Sequence, residues 1–182
     1  MSTNRTLPSV NTKMLEVIDR HKIEMIICDF DGVLTDNKVH TAQNGEEIVV
    51  CSRSDGLAFD TLRKIGLKSF IFSTEVNSVV LARARKLKIP VIQGVKDKRK
   101  SLLNFAREKN INLDNVLYVG NDLNDFFSMG LCGYRACPSD ADLQIKSISN
   151  VHLQVEGGKG VIRAIVEQIF QIDIIKVLYE EK

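Results

Sequence analysis

Residues 25–36 read MIICDFDGVLTD. An unbroken apolar run from Met25 to Cys28 leads into Asp29, and a second acid follows at Asp31 before Gly32 lets the backbone turn away. Such a run fits a strand covered on both faces, as in a parallel sheet, better than the in–out alternation of a strand with one wet face. In open sheets of that kind, ligands bind beyond the carboxyl ends of the strands. Residues two apart in an extended chain share a side, so Asp29 and Asp31 are expected to face one pocket. Two carboxylates that close repel, which calls for a cation or a shared proton. The bland alternative is an Asx-type turn at Asp31-Gly32 with no chemistry attached.

Working outward, short apolar runs at 23–28, 68–72, 90–92, 115–119 and 132–137 read as buried strands. Between them, 56–66, 76–88, 97–110 and 122–130 carry apolar positions at helical spacing. In the second of these, Val79, Val80, Ala82, Arg83, Ala84 and Leu87 give one mainly apolar and one basic face. Strand–helix–strand repeated in this way predicts an α/β fold: a parallel sheet with right-handed crossovers, flanked by helices. Residues 37–51 break the alternation and read as a β-hairpin about Asn44-Gly45, both of which tolerate positive φ. A lone hairpin is marginal in water, so it is expected to pack on something, a second copy of the chain for preference. An amphipathic helix is expected at 11–21, with Met14, Leu15, Val17 and Ile18 inward, and a closing helix at 161–179 with a break near Asp173. Residues 1–182 form one domain, of which 1–20 is an N-terminal extension.

The chain has 182 residues, 44% hydrophobic and 26% charged, with a net charge of +2. That composition excludes disorder and fibrous repeats. So near-neutral a balance gives no support to nucleic acid or an anionic membrane surface as the main partner. The four cysteines (Cys28, Cys51, Cys132, Cys137) form no CxxC pair, and no His stands near them at a zinc-like spacing. Residues 1–13 lack the apolar core of a secretory signal, and no run reaches the ~18 apolar residues of a membrane span. A reducing, cytoplasmic setting is the expectation.

Three more strand ends carry polar chemistry. The run KSFIF ends in Ser73-Thr74-Glu75, whose hydroxyls and free N–H groups before a helix suit a phosphate oxygen; capping of that helix by Ser73 or Thr74 is the plainer reading. Lys96 and Lys98 stand at the opening of a helix, against the macrodipole preference for acids there. Finally Gly120-Asn121-Asp122-Leu123-Asn124-Asp125 clusters oxygen ligands, and hard oxygens near other carboxylates propose a Mg²⁺ site. Each signal is weak alone; four successive strand ends with complementary phosphate chemistry are much stronger.

Taken together, DFDGVLTD, the Ser73 strand end, Lys98 and GNDLND resemble the four motifs of the haloacid dehalogenase (HAD) superfamily of phosphotransferases. The post-strand hairpin, Ser54-Asp55-Gly56 and Gly157-Gly158-Lys159-Gly160 are similar to its capless branch. That branch holds 3-deoxy-D-manno-octulosonate 8-phosphate (KDO 8-phosphate) phosphatases and the phosphatase-like domain of N-acylneuraminate cytidylyltransferases. The resemblance implies a Rossmann-like core with no cap domain. It makes Asp29 the nucleophile that forms an aspartyl-phosphate, and Asp31 the general acid and then base. Ser73 and the Thr74 backbone would hold a phosphoryl oxygen, and Lys98 would neutralise its charge. Mg²⁺ would be held by Asp29, the Asp31 carbonyl, Asn121 and Asp122. Asp55, Gly56, Thr74, Glu75 and Arg163 would touch a phosphorylated sugar acid. The branch further implies a homotetramer in which a neighbour covers the open site, with Gly157–Gly160 and Arg163 near the neighbour's pocket, unless those glycines simply form the turn before the last helix. A cytidylyltransferase partner is also implied. A weakly active or inactive oligomerisation module is the alternative reading.

Two positions depart from the KDO 8-phosphate phosphatases. Asn121 stands where they carry a metal-binding Asp, which removes a charge but keeps an oxygen ligand. Glu75 stands where they carry an Arg, which points away from a sugar carboxylate and toward a nine-carbon acid phosphate.

Overall fold

The computed structural model describes residues 18–180. The expected helix at 11–21 lies mostly outside them. Within them, Ile18 is buried and Arg20–Lys22 form a single 3₁₀ turn capped by Asp19.

Six parallel strands form the sheet in the order β5-β4-β1-β6-β7-β8. They are β1 (Met25–Cys28), β4 (Lys68–Phe72), β5 (Val91–Ile92), β6 (Val116–Val119), β7 (Tyr134–Cys137) and β8 (Val151–His152). β1 is central, with Cys28 level with Ile71 of β4 on one side and Val119 of β6 on the other. Both faces of β1 are covered, which is why its sequence does not alternate. Ile26 and Cys28 enter one apolar layer, with α1 (Ser54–Lys64), α2 (Ser78–Leu87) and α6 (Val161–Ala164). Met25 and Ile27 enter the other, with α3 (Lys98–Lys109), α4 (Phe126–Met129) and α5 (Leu143–Ile148). Among the described residues no second domain or cap covers the sheet's carboxyl edge, and no helix is long and apolar enough to cross a membrane.

Two local readings differ from expectation and a third agrees with it. Only Gly45 of the hairpin turn takes positive φ (+81°). Its N–H bonds the Ala42 carbonyl, Ala42 N–H bonds that of Glu46, and Asn44 accepts from Glu46 N–H. This is a longer loop than a two-residue Asn-Gly turn, and it joins only two short strands, β2 (His40–Thr41) and β3 (Glu47–Ile48). Ala82 of α2 is exposed, leaving Val80, Ala84 and Leu87 as the buried stripe. The closing helix does break: α6 continues as a π-helical stretch, Ile165–Ile169, and α7 (Ile174–Tyr179) restarts with Asp173 capping Lys176 N–H. The segment after β7 supplies α5 and β8, too short to leave a periodic signal.

Candidate active site

Chain order reverses around β1. From β1 the chain builds β4 and β5 on one side, then crosses to β6 on the other. The carboxyl ends of β4, β1 and β6 therefore flank a topological switch point, where the loops diverge and leave a crevice. Ser73 follows β4, Asp29 follows β1, and Gly120-Asn121 follow β6.

Asp29 is 4% exposed. One carboxylate oxygen accepts the Phe30 N–H at 2.7 Å and the other meets Lys98 Nζ at 2.8 Å. Lys98 is the first residue of α3, whose cap is Asp97, accepting from Lys100 N–H. Its uncomfortable place at a positive helix end is offset by a second carboxylate: Nζ also lies 2.8 Å from Asp125 Oδ1. Asp125 is fully buried, and it also accepts the Tyr118 hydroxyl at 2.9 Å and the Asn121 N–H at 3.1 Å. Gly120 makes room for it, since a Cβ there would stand 2.6 Å from Asp125 Oδ2.

Two carboxylates thus share one ammonium in a dry pocket. Burial, and then the charge of Asp125, push the Asp29 carboxyl well above the usual carboxylate range, with Lys98 pulling the other way. For Lys98, burial disfavours the ammonium, yet Asp29 and Asp125 outweigh it and its pKa is raised. The surplus negative charge suits a cation. Beside it, Asn121 is 6% exposed, and its Oδ1 has no hydrogen-bond partner among the described residues. A hard oxygen left bare next to excess negative charge fits a divalent ion of the Mg²⁺ type. Gly32 (φ +75°) belongs to the same cradle, because a Cβ there would collide with the Asn121 amide. Asp122 is not brought in: it is exposed and accepts its own neighbour's N–H, that of Leu123, at 2.7 Å. Among the described residues no three His, Cys, Asp or Glu side chains gather in ligating geometry. A metal cradle here therefore needs the Asn121 and backbone oxygens as well.

Asp31 is half-buried and lines a cleft of about 230 Å³ with Phe30, Glu47, Glu75, Asn77 and Val79. Burial raises its pKa, opposed first by a hydrogen bond from Thr35 Oγ1 to Oδ1 at 3.1 Å. Asn77 Nδ2 donates to Glu47 at 2.7 Å, tying the hairpin to the start of α2 so that the chain's own hairpin forms one wall. Ser73 is buried at the end of β4 and accepts Glu75 N–H at 3.1 Å. It does not cap α2; Asn77 does, accepting from Val79 N–H. Thr74 is half-buried beside it and Glu75 is exposed.

Asp55, Gly56 and Arg163 do not join this cleft within one copy of the chain. Asp55, 1% exposed, lies under the start of α6 and accepts Arg163 N–H at 3.0 Å, so free backbone donors there claim the carboxylate. Gly56 lies on α1 with only Leu87 near its missing Cβ, and the Arg163 guanidinium pairs with Glu167 at 2.7 Å. The glycine-rich segment is also used internally: a Cβ on Gly157 would strike the Gly32 carbonyl, and one on Gly158 (φ +69°) would stand 2.6 Å from Asp36 N. These glycines form the turn before α6 and press it against the 32–36 loop.

Burial lifts the Asp55 carboxyl from 3.8 to about 6, against the pull of the Arg163 and Ile162 N–H groups. The folded chain therefore holds this proton more tightly than the unfolded chain between roughly pH 4 and 6. Its contribution to stability is greatest below that window, falls as pH rises through it, and levels off above. A shift of this size corresponds to ~3 kcal/mol. Asp55→Asn should remove the slope, so that urea unfolding from pH 4 to 7 finds the variant gaining on the parent by about that amount. A constant difference across the window would contradict it.

Asp125, Tyr118 and Thr35 also bond into this network; the sequence pattern includes Asp125 in the oxygen cluster at 120–125 but assigns none of the three a role of its own. Asp125 was legible as the last acid of GNDLND, and Tyr118 as the one polar group inside the apolar run of β6.

An aspartate at the end of the central parallel strand, a buried lysine from a later helix and a second acid two residues on suit phosphoryl chemistry on an α/β scaffold. No protein-family model matches the chain. A HAD family hydrolase from Streptomyces avermitilis is 38% identical, with a TM-score of 0.84 over 88% of this chain and 92% of its own. The KDO 8-phosphate phosphatase of Moraxella catarrhalis, solved with magnesium, phosphate and KDO, is 27% identical, with a TM-score of 0.79 over 84% of this chain and 88% of its own. N-acylneuraminate cytidylyltransferase A of Danio rerio is 26% identical over 81% of this chain, which spans 35% of that protein. The chain belongs to the HAD family of hydrolases and is a phosphoric monoester hydrolase.

Proposed function

We propose that the protein is a Mg²⁺-dependent phosphatase of phosphorylated 2-keto-3-deoxy sugar acids, acting through an aspartyl-phosphate. The substrate would be KDO 8-phosphate or an N-acylneuraminate or deaminated neuraminate 9-phosphate. The observation that carries the reading is the Asp29–Lys98–Asp125 constellation at the switch point, with Asp31 opening onto the adjoining cleft.

In this reading an Asp29 oxygen attacks phosphorus while Asp31 protonates the departing sugar oxygen; Asp31 then takes a proton from the water that cleaves the acyl phosphate. Ser73 and the Thr74 backbone orient the phosphoryl oxygens, and Lys98 holds Asp29 and offsets developing charge. Asp29, the Asp31 carbonyl and Asn121 would hold Mg²⁺, with Asp122 reaching it through water at most. When bound, the ion would neutralise phosphate charge that otherwise repels the carboxylate by roughly 4 kcal/mol at ~4 Å and an effective dielectric near 20. In the cleft, Glu47, Glu75 and Asn77 offer hydroxyl partners over an apolar floor of Val49, Val79 and Val80. Glu75 beside the site supports a polyol chain there rather than the sugar carboxylate. The exposed apolar Val39, Ile48 and Val50 of the hairpin support docking onto a second copy in a homotetramer, and a cytoplasmic setting is consistent with four free cysteines.

Purified protein with Mg²⁺ should release phosphate from an eight- or nine-carbon keto-acid phosphate, and chelation should stop it. A second reading, a weakly active or inactive module beside a sialic-acid cytidylyltransferase, is favoured by the uncharged Asn121. No turnover across that panel and an aryl phosphate, with assembly intact, would select it.

A further inference from the structure

The 32–37 loop holds one hydroxyl whose hydrogen bonds are all assigned. Thr35 is fully buried. Its Oγ1 accepts the Gly32 N–H at 3.1 Å and the Asn37 N–H at 3.3 Å. A hydroxyl has one proton and two lone pairs. With both lone pairs taken, its proton goes to the remaining partner, Asp31 Oδ1 at 3.1 Å. These three hydrogen bonds hold the hydroxyl, and the Thr35 backbone beneath it is held as well: its N–H bonds the Phe30 carbonyl, it bridges to Cys51 at the base of the hairpin, and Gly158 packs on its carbonyl.

We infer that Thr35 is a positioning residue that decides which oxygen of Asp31 carries the catalytic proton. Because Oδ1 accepts from Thr35, a proton on Asp31 resides on Oδ2, and Oδ2 is the oxygen that serves the leaving group. The inference rests on Asp31 acting as the general acid of the phosphatase reading. In the first step the bond from phosphorus to the sugar oxygen breaks with its electron pair left on that oxygen, while an Asp29 oxygen forms the new bond to phosphorus. The sugar oxygen takes the proton from Asp31 Oδ2, leaving a carboxylate still held through Oδ1. In the second step Oδ2 recovers a proton from the attacking water. Thr35 donates to Oδ1 throughout and is not consumed.

The test uses leaving groups. A sugar alkoxide needs the proton; a nitrophenolate departs without it. Thr35→Val should lower turnover of an alkyl phosphate at least about tenfold more than that of p-nitrophenyl phosphate, the scale at which a misplaced general acid is felt. Thr35→Ser, which keeps the hydroxyl, should restore the parental ratio. In an Asp31→Asn background Thr35→Val should leave the ratio where Asp31→Asn has put it. Should Thr35→Val not fold, Thr35→Cys, with its weak donor, carries the same comparison. Equal losses on both esters would mean a merely structural role and overturn the inference, as would an unchanged ratio or a further fall in the Asp31→Asn background. Absence of turnover in the parent chain on either ester would instead sink the phosphatase reading, and the inference with it.

Discussion

Asp29→Asn is expected to abolish phosphate release, by on the order of a thousandfold or more, while leaving the fold intact. An amide cannot form the acyl phosphate, and no other side chain shares its position at the end of β1. The structural cost is small because of the charge arrangement. Lys98 keeps Asp125 at 2.8 Å, so the pocket passes from two carboxylates around one ammonium to a single matched pair. Burial had already raised the pKa of Asp29, so losing its charge relieves the pocket rather than straining it. The check pairs phosphate release with thermal unfolding on the same preparation. Loss of activity with an unchanged or raised midpoint is the expected result; turnover near the parental rate would refute a nucleophilic Asp29.

Lys98→Met should act in the opposite way on stability. It leaves Asp29 and Asp125 facing each other with no cation, and one acid must take a proton or the pocket must open. Removing one partner from a buried ion pair costs about 3–5 kcal/mol, and here a single lysine serves two acids. Urea unfolding near neutral pH should find a loss of that size, with phosphatase activity gone. The sign of the pH dependence follows from the Asp29 carboxyl, already raised by burial: a proton there removes the repulsion between the two acids, so the variant should recover stability as pH falls and lose it as pH rises. A loss below ~1 kcal/mol would mean that Lys98 does not hold the two acids together. The contrast between the variants separates roles: one removes the reacting group and spares the scaffold, the other removes the counter-charge and spares neither.

Much of this site is visible in the chain itself. A strand covered on both faces must be apolar at every position, so MIIC followed by two acids states both the sheet type and the strand end. Lys98 is legible only in part: a cation at a helix start is disfavoured unless something nearby compensates it, but Lys96 shares that signal and the family resemblance chooses between them. Ser73 stands out only once the next helix is seen to have its own cap in Asn77.

Choosing among neighbouring acids was beyond such reading. Asp122 and Asp125 lie three residues apart in one loop, yet one caps its own turn at the surface and the other is sealed against Lys98 and Tyr118. The resemblance puts Asp55 at the substrate, while within one copy of the chain helix α6, 108 positions along, takes one oxygen of its carboxylate. Local pattern determines which side of its element a residue faces and how far from water it is driven. The partner waiting there is chosen when distant segments pack, by which unsatisfied donor or counter-charge arrives within about 3 Å, and that belongs to the tertiary structure alone.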